Sequence, residues 1–182
     1  MKRLLFLLVT ILTLTCCDKD DKNPENPIDR LPPATQTGAR TFGCLLDGVA
    51  FVPGNQNFNL DCVYQYIIGD YYFTLQSSNT YPNNPSIGLG LNTFKLKIEE
   101  GKTYILQDNI DGNASGYYLF RNDITGVNEF NETSNIEKGE MKITKLDFNK
   151  HIVSGTFWYD IKDSKGIIHR IREGRFDMPF TE

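Results

Sequence analysis

The sequence predicts an all-β fold, a single antiparallel β-sandwich or flattened barrel of about nine or ten short strands. Between residues 41 and 182, short segments are rich in Val, Ile, Thr, Phe and Tyr, as half-buried strands require. Gly, Asn and Asp separate these segments at short intervals, where the chain has to turn. No stretch longer than a turn or two has the apolar periodicity of an amphipathic helix.

The strands of the first part of the domain are marked by turn residues. Asp47-Gly48 lies between two apolar runs and favours a type I′ hairpin turn, because both central positions of that turn need positive φ. Residues 93–98 are also compatible with a short helix. The strands predicted in this part are 41–46, 49–53, 62–68, 71–77, 86–91, 103–106 and 117–120.

The last third of the chain predicts a three-stranded meander, with strands at 141–146, 151–161 and 167–178. A tight turn that pairs Asp163 with Gly166 would set the register of the last two strands and place His169 opposite Asp160. The period of two then gives each strand a core face and an outer face. Val153, Phe157, Ile161 and Ile168 are predicted on the core side, and Trp158 on the other face beside Ile171.

Residues 1–16 are predicted to be a signal peptide. Met1-Lys2-Arg3 is a short basic region, and Leu4 to Leu14 form an apolar run broken by two threonines. This run is about half of the ~20 residues that a membrane-spanning helix needs, so it indicates a cleaved signal.

The end of the signal resembles the lipobox of bacterial lipoproteins. In Leu14-Thr15-Cys16-Cys17 the Leu lies three positions before Cys17, which implies lipidation of Cys17 at the mature N-terminus. One alternative is the frame that ends at Cys16, which has Thr13 in place of that Leu. Another is an ordinary secretory signal with two chance cysteines. Several acyl chains on one cysteine would anchor the protein stably, since each buried CH₂ contributes ~0.8 kcal/mol.

The residues after Cys17 indicate where in the cell the protein is located. Asp18-Lys19-Asp20-Asp21-Lys22 resembles the acidic export tag of surface lipoproteins in Bacteroidota, which implies a lipid-anchored protein on the outer face of the outer membrane. The alternative is a solvated linker that carries no targeting signal. Residues 17–40 contain several prolines and few apolar side chains, and they are predicted to be a lipidated N-terminus and flexible linker. The all-β domain then occupies residues 41–182.

Charge excludes one class of partner. The chain has 19 Lys and Arg against 23 Asp and Glu, a formal net charge of -4. Residues 1–16 contain Lys2 and Arg3 and no acid, so the mature chain is at -6. Nucleic acid is not an expected partner, because phosphate binding needs a basic face. Membrane contact is expected through the N-terminal lipid.

Cys44 and Cys62 are the remaining cysteines and form a candidate disulfide, since exported domains are often bridged. The alternative is two buried thiols that act as small apolar residues. No metal site is predicted, because there is no CxxC motif and the chain has two histidines. Asp108 to Asn113 resemble a calcium loop in composition, but Ile110 stands where an oxygen ligand should be. No cofactor is predicted.

Both ends of the domain carry recognisable motifs. The opening motif is Thr41-Phe42-Gly43-Cys44-Leu45-Leu46-Asp47-Gly48. The closing motifs are Ser154-Gly155-Thr156-Phe157 and Gly174-Arg175-Phe176-Asp177. These motifs resemble those of an uncharacterised small lipoprotein family of Bacteroidota. Residues 55–138 carry no such resemblance. The family is a domain of unknown function, so the resemblance implies fold class and location but no catalytic residue.

Two functions are consistent with these features. The first is a surface-exposed binding or accessory lipoprotein domain without catalytic activity, whose ligand is a glycan or a protein. The second is a small hydrolase that uses Asp160 and His169 as the base half of a triad. An outward row of aromatic residues could stack on sugar rings, whereas aromatic coverage of a sheet is the simpler interpretation. The aromatic residues concerned are Tyr64, Tyr66, Tyr71, Tyr72, Phe73, Tyr117, Tyr118 and Phe120.

Overall fold

A computed structural model describes residues 26–55, 59–79 and 85–182. Within these ranges a short 3₁₀ helix, Pro27–Arg30, precedes eleven β-strands. The described ranges contain no helix with the length and apolar character of a membrane span. The strands are β1 Thr41–Leu46, β2 Val49–Phe51, β3 Leu60–Ile67, β4 Asp70–Asn79, β5 Ser86–Thr93, β6 Thr103–Leu106, β7 Ala114–Asn122, β8 Val127–Glu132, β9 Gly139–Asp147, β10 Ile152–Lys162 and β11 Ile168–Pro179.

All eleven strands belong to one sheet, in the order β2-β1-β11-β10-β9-β6-β7-β5-β4-β3, with β8 paired to β7 beside this path. Neighbouring strands are antiparallel except β6 and β7. The sheet is not closed, although Thr181 makes a single parallel bridge to Val63 of β3. The predicted all-β class is therefore confirmed, and the sheet is compatible with a sandwich or a flattened barrel.

The core lies on the inner face of this curved sheet, where alternate side chains of most strands meet. Its largest fully buried members include Phe42, Phe73, Tyr159 and Phe176. Cys44 and Cys62 also lie there as free, buried thiols. Burial raises the pKa of both thiols well above the ordinary value, because a thiolate has no solvation in the core. They correspond to the alternative of two buried thiols.

The predicted hairpin at Asp47-Gly48 is present. Leu46 pairs with Val49, and the two turn residues have φ of 51° and 82°, as a type I′ turn requires. Residues 93–98 contain no helix. Strand β8 was not predicted from the sequence. Its side chains are exposed or half-buried on both faces, so it lacks the alternation that marks a strand.

The turn between β10 and β11 corrects the predicted register by one residue. Gly166 has the expected positive φ of 83°, but the backbone N–H of Asp163 donates to the carbonyl of Ile167 at 2.8 Å. The loop therefore has three residues between Asp163 and Ile167 instead of two between Asp163 and Gly166. Asp160 consequently pairs with Arg170, and the predicted pairing of Asp160 with His169 is wrong.

The two faces of β10 were predicted correctly, whereas those of the first part of β11 were not. Val153, Phe157 and Ile161 are buried, and Trp158 points to the other face with 38% of its surface exposed. In β11, however, Ile168 is exposed, while Ile171 is buried opposite Tyr159. The register shift of the turn moves the side chains of residues 168–171 to the opposite face from the one predicted. Further along, β11 gains one more residue relative to β10, so Phe176 and Met178 return to the core side.

Residues 26–40, which the sequence assigns to the linker, pack on the outer face of the sheet. Leu31 is buried, and a Cβ atom on Gly43 would lie 2.5 Å from Cδ of Pro32, so glycine lets the segment lie close on β1. Further along, Asp177 of β11 accepts hydrogen bonds from this segment. The signal peptide, Cys17 and the first part of the linker lie outside the described residues.

Candidate functional site

A groove of about 570 Å³ crosses the outer face of β6, β9, β10 and β11. The cross-strand register defines two rows of side chains in it. The first, here called the basic row, runs from Thr103 to Lys142, Thr156 and Arg175, each opposite the next. The second, here called the tryptophan row, runs from Glu140 to Trp158 and a bulge at Arg172 and Glu173.

Trp158 is the aromatic centre of the groove. The guanidinium carbon of Arg172 lies 5.3 Å from the centre of the Trp158 ring system, a cation–π contact. Arg172 is itself fixed, because it donates to Asp160 Oδ1 at 2.6 Å and to the carbonyl of Tyr159 at 3.0 Å. The indole is thus held in one orientation while part of its surface stays open to solvent.

A β-bulge in β11 shapes the groove wall opposite Trp158. Phe157 pairs with Gly174 and Tyr159 with Ile171, so two residues of β11 oppose one of β10. Glu173 has φ of 54°, which is uncommon for a residue other than glycine. Gly174 follows because a Cβ atom there would lie 2.5 Å from the Phe157 ring. Bulges of this kind change the direction of side chains, and residues with strained backbone conformations are common at functional sites.

The groove contains charges that the fold does not neutralise. Within the described ranges, Glu140 and Lys142 have neither an ion pair nor a side-chain hydrogen bond. Arg175 is steadied by its own strand, since its Nε donates to the carbonyl of Glu173 at 3.2 Å, and one of its terminal nitrogens lies 3.8 Å from the Glu173 carboxylate. Glu140, Lys142 and part of Arg175 can therefore bind a ligand without breaking strong internal pairs.

The N-terminal segment forms one border of the groove through Ala34. Its position depends on Asp177, which is completely buried and accepts from the Thr35 hydroxyl at 2.6 Å, from the Gly38 N–H at 2.8 Å and from the Ser154 hydroxyl at 2.8 Å. Burial alone would raise the pKa of Asp177, but these hydrogen bonds outweigh it and hold that pKa well below the ordinary value. The carboxylate thus stays ionised and keeps the border in place.

The structure separates the two residues of the hydrolase hypothesis. Asp160 binds Arg172, whereas His169 Nδ1 lies 2.7 Å from Asp47 Oδ2 and its ring stacks on Tyr118 at 4.6 Å. His169 Nε2 faces the carboxylate of Asp163 at 3.7 Å. Among the hydrogen bonds of the described residues, none joins His169 to a Ser, Thr or Cys side chain. The sequence missed Asp47 as the partner of His169.

The predicted aromatic residues do not form an outward row. Tyr64 and Phe73 are buried in the core, and Tyr118 is buried against His169, where burial is the main cause that raises its pKa to about 12. Tyr66 is 64% exposed, but it pairs with Tyr71 beyond the buried end of the inner face. Tyr66 also lines a smaller groove of about 390 Å³ together with Phe148 and Glu182. Trp158, which the sequence placed on the outer face without assigning it to a site, lies in the larger groove among several charged side chains.

No metal centre emerges from the described ranges. They contain no group of three or more His, Cys, Asp or Glu that could hold a metal ion. In the segment that resembles a calcium loop, Asp108 instead contacts the backbone and side chain of Asn135.

Comparison with known proteins adds no relative. No protein-family model, no curated protein and no solved structure matches this chain. The resemblance to a lipoprotein family of Bacteroidota therefore stays a prediction from the sequence.

Proposed function

We propose that this protein is a surface-exposed, lipid-anchored lipoprotein whose domain binds carbohydrate in the groove of Trp158 and catalyses no reaction. The observation that carries the proposal is an exposed indole, oriented by Arg172, beside the unpaired side chains of Glu140 and Lys142 on the neighbouring strand. Small-molecule sites commonly combine an apolar surface with a few placed polar groups, and this groove has both.

The chemistry of a sugar ring matches this arrangement. One face of a pyranose is a patch of C–H groups that packs on an aromatic ring, and its edge carries hydroxyls that donate and accept hydrogen bonds. Trp158 offers the aromatic surface, while Glu140 accepts and Lys142 and Arg175 donate. The groove lies along the surface of the sheet, which suits a chain of sugars.

The location rests on the sequence. The signal, the lipobox-like Leu14 to Cys17 and the acidic run behind it support export and lipidation. The packing of residues 31–39 on the sheet agrees with a short connection between an anchor and the domain, since Thr37 and Gly38 are held by Asp177 and Ala34 borders the groove.

Binding of cello-, xylo-, manno- and galacturono-oligosaccharides to the full-length protein in detergent would test the proposal by calorimetry. We expect at least one of them to bind and Trp158→Ala to weaken that binding about tenfold or more, which corresponds to about 1.4 kcal/mol. Phe130→Ala is the matched control, because Phe130 is 58% exposed on β8 and does not line the groove. Equal losses in both variants, or no binding to any of the sugars, would contradict the proposal.

A further inference from the structure

We infer that the groove selects anionic saccharides, with the acidic substituent of a sugar, a carboxylate or a sulfate ester, bound between Lys142 and Arg175. The inference rests on the proposed carbohydrate binding and names the class of sugar that the groove would take.

The basic row contains hydrogen-bond donors and two cationic side chains, but no Asp or Glu. Lys142 of β9 and Arg175 of β11 flank Thr156 of β10, so their Cα atoms lie two strand spacings, roughly 10 Å, apart. Long side chains from both sides reach over the small threonine. The hydroxyls of Thr103 and Thr156 add two further donors in the same row.

The two cations are available in different ways. Lys142 has no ion pair with any residue of the described ranges. Arg175 has a half-buried side chain, 19% exposed, and its Nε bond to the carbonyl of Glu173 fixes the guanidinium. Its contact with the Glu173 carboxylate, at 3.8 Å, is longer than a hydrogen bond. A fixed guanidinium is suited to the planar, two-pronged binding of a carboxylate or sulfate.

The two rows are spaced for one sugar ring and its substituent. Thr156 and Trp158 are two residues apart on β10, roughly 6.7 Å along the strand, which is close to the width of a pyranose ring. A ring stacked on Trp158 would direct an exocyclic acid toward the basic row. Glu140, on the tryptophan row, would repel the same acid and favour hydroxyls, so the charges fix the orientation of the sugar.

A matched pair of ligands tests the inference on the full-length protein in detergent. Oligogalacturonate and its fully methyl-esterified form share one backbone and differ in charge, and chondroitin sulfate oligosaccharides supply the sulfate ester. We expect one or both acidic ligands to bind at least tenfold more tightly than the methyl ester, and this preference to fall at high salt. Lys142→Gln should remove most of the preference, whereas Lys165→Gln, in an exposed turn, should leave it unchanged.

The outcomes separate the inference from the proposed function. Equal binding of the acidic and esterified ligands that still depends on Trp158 would overturn the anion selectivity and leave carbohydrate binding intact. A preference that Lys142→Gln and Lys165→Gln reduce equally would also overturn it. Failure of every charged and neutral sugar to bind would overturn both.

Discussion

Asp177 holds the N-terminal segment against the sheet through a buried, ionised carboxylate. Besides Thr35 and Gly38, the backbone N–H groups of Thr37 and Ala39 donate to it at 2.9 and 3.1 Å. A carboxylate that accepts several hydrogen bonds in the interior is stable because its charge is shared among fixed dipoles. One residue thereby sets the position of the segment that borders the groove and leads toward the predicted anchor.

We expect Asp177→Asn to lower the free energy of unfolding by about 3 kcal/mol, because the new amide N–H₂ would face backbone N–H donors. Urea unfolding at neutral pH measures this. Asp123→Asn, at an exposed position, is the control and should change stability by less than about 0.5 kcal/mol. A loss of similar size in both variants would mean that Asp177 does not hold the segment.

The pH dependence of stability follows from the same carboxylate. Its pKa in the folded protein lies below its pKa in the unfolded chain, which is about 3.9. Asp177 therefore contributes stability above about pH 4, and that contribution is lost as the pH falls toward the folded-state pKa. Urea unfolding at several pH values should show wild-type stability falling between about pH 5 and pH 2, with a shallower fall in Asp177→Asn. Parallel curves would assign the acid sensitivity to other carboxylates.

At the scale of single elements, local sequence signals predicted the positions of the turns. The strand register and the bulge depend on pairing between strands, which these signals do not show. Asp47-Gly48 was predictable because the turn needs nothing outside its own residues. The loop that ends at Gly166 was placed correctly but miscounted by one residue, and the error in the faces carried through β11 as far as the bulge at Arg172 and Glu173. The bulge left no signal, because its positive φ is at Glu173 and not at the neighbouring Gly174. An alternation of apolar residues cannot show where a strand gains one residue.

Ile68 and Glu173 both have positive φ, but Glu173 alone of the two lines the groove. Substitutions at these positions can therefore distinguish the effect of backbone strain on stability from an effect on ligand binding. Ile68 is the first central residue of the β3–β4 turn, with φ of 50°, and its side chain is 98% exposed. Ile68→Asn would place asparagine before Gly69, the pair that type I′ turns favour, where a β-branched residue now resists this conformation. The substitution should raise the free energy of unfolding by about 1 kcal/mol, which urea unfolding measures. A lower stability would show that the turn gains from the isoleucine.

Glu173→Asn makes the matching change inside the groove. Glu173 has a similar φ of 54°, so asparagine should relieve comparable strain, and we again expect a gain of about 1 kcal/mol in urea unfolding. The two variants should differ in ligand binding, since Glu173 lines the groove and Ile68 does not. We expect Ile68→Asn to bind sugars like the wild type and Glu173→Asn to bind them differently. Unchanged sugar binding in both variants would show that the bulge is not part of the binding site.

At the scale of the whole molecule, the strand order of the sheet is the reason why the sequence predicted the fold but not the site. Strand composition is local, so the all-β class could be read from short segments. The groove instead joins β6 to β9, β10 and β11, and β6 is inserted into the sheet between β9 and β7. Thr103 therefore meets Lys142 from a part of the chain that is distant in sequence. Trp158 was placed outward correctly, but its neighbours on other strands depend on pairings that a single sequence does not show.

The predicted anchor lies close to this groove along the chain. From Cys17 to Asn26 the backbone spans at most roughly 30 Å, and the segment that follows packs on the sheet as far as the groove border. A lipid on Cys17 would therefore hold the binding face near the bilayer, where a glycan captured from the medium would stay at the cell surface. The proposed location of the domain would in this way serve the proposed use of the groove.

Lipidation at Cys17 is tested by the mass and location of the mature protein. We expect the membrane fraction to contain a chain that lacks residues 1–16 and carries additional acyl mass, because the lipobox frame ends at Cys17. Cys17→Ala should release the domain from the membrane, since no other acyl chain would hold it, whereas Cys16→Ala should leave it anchored. Intact-mass spectrometry and fractionation measure both. A soluble mature form of the wild type, or release by Cys16→Ala alone, would contradict the prediction and move the site of lipidation or cleavage to another residue.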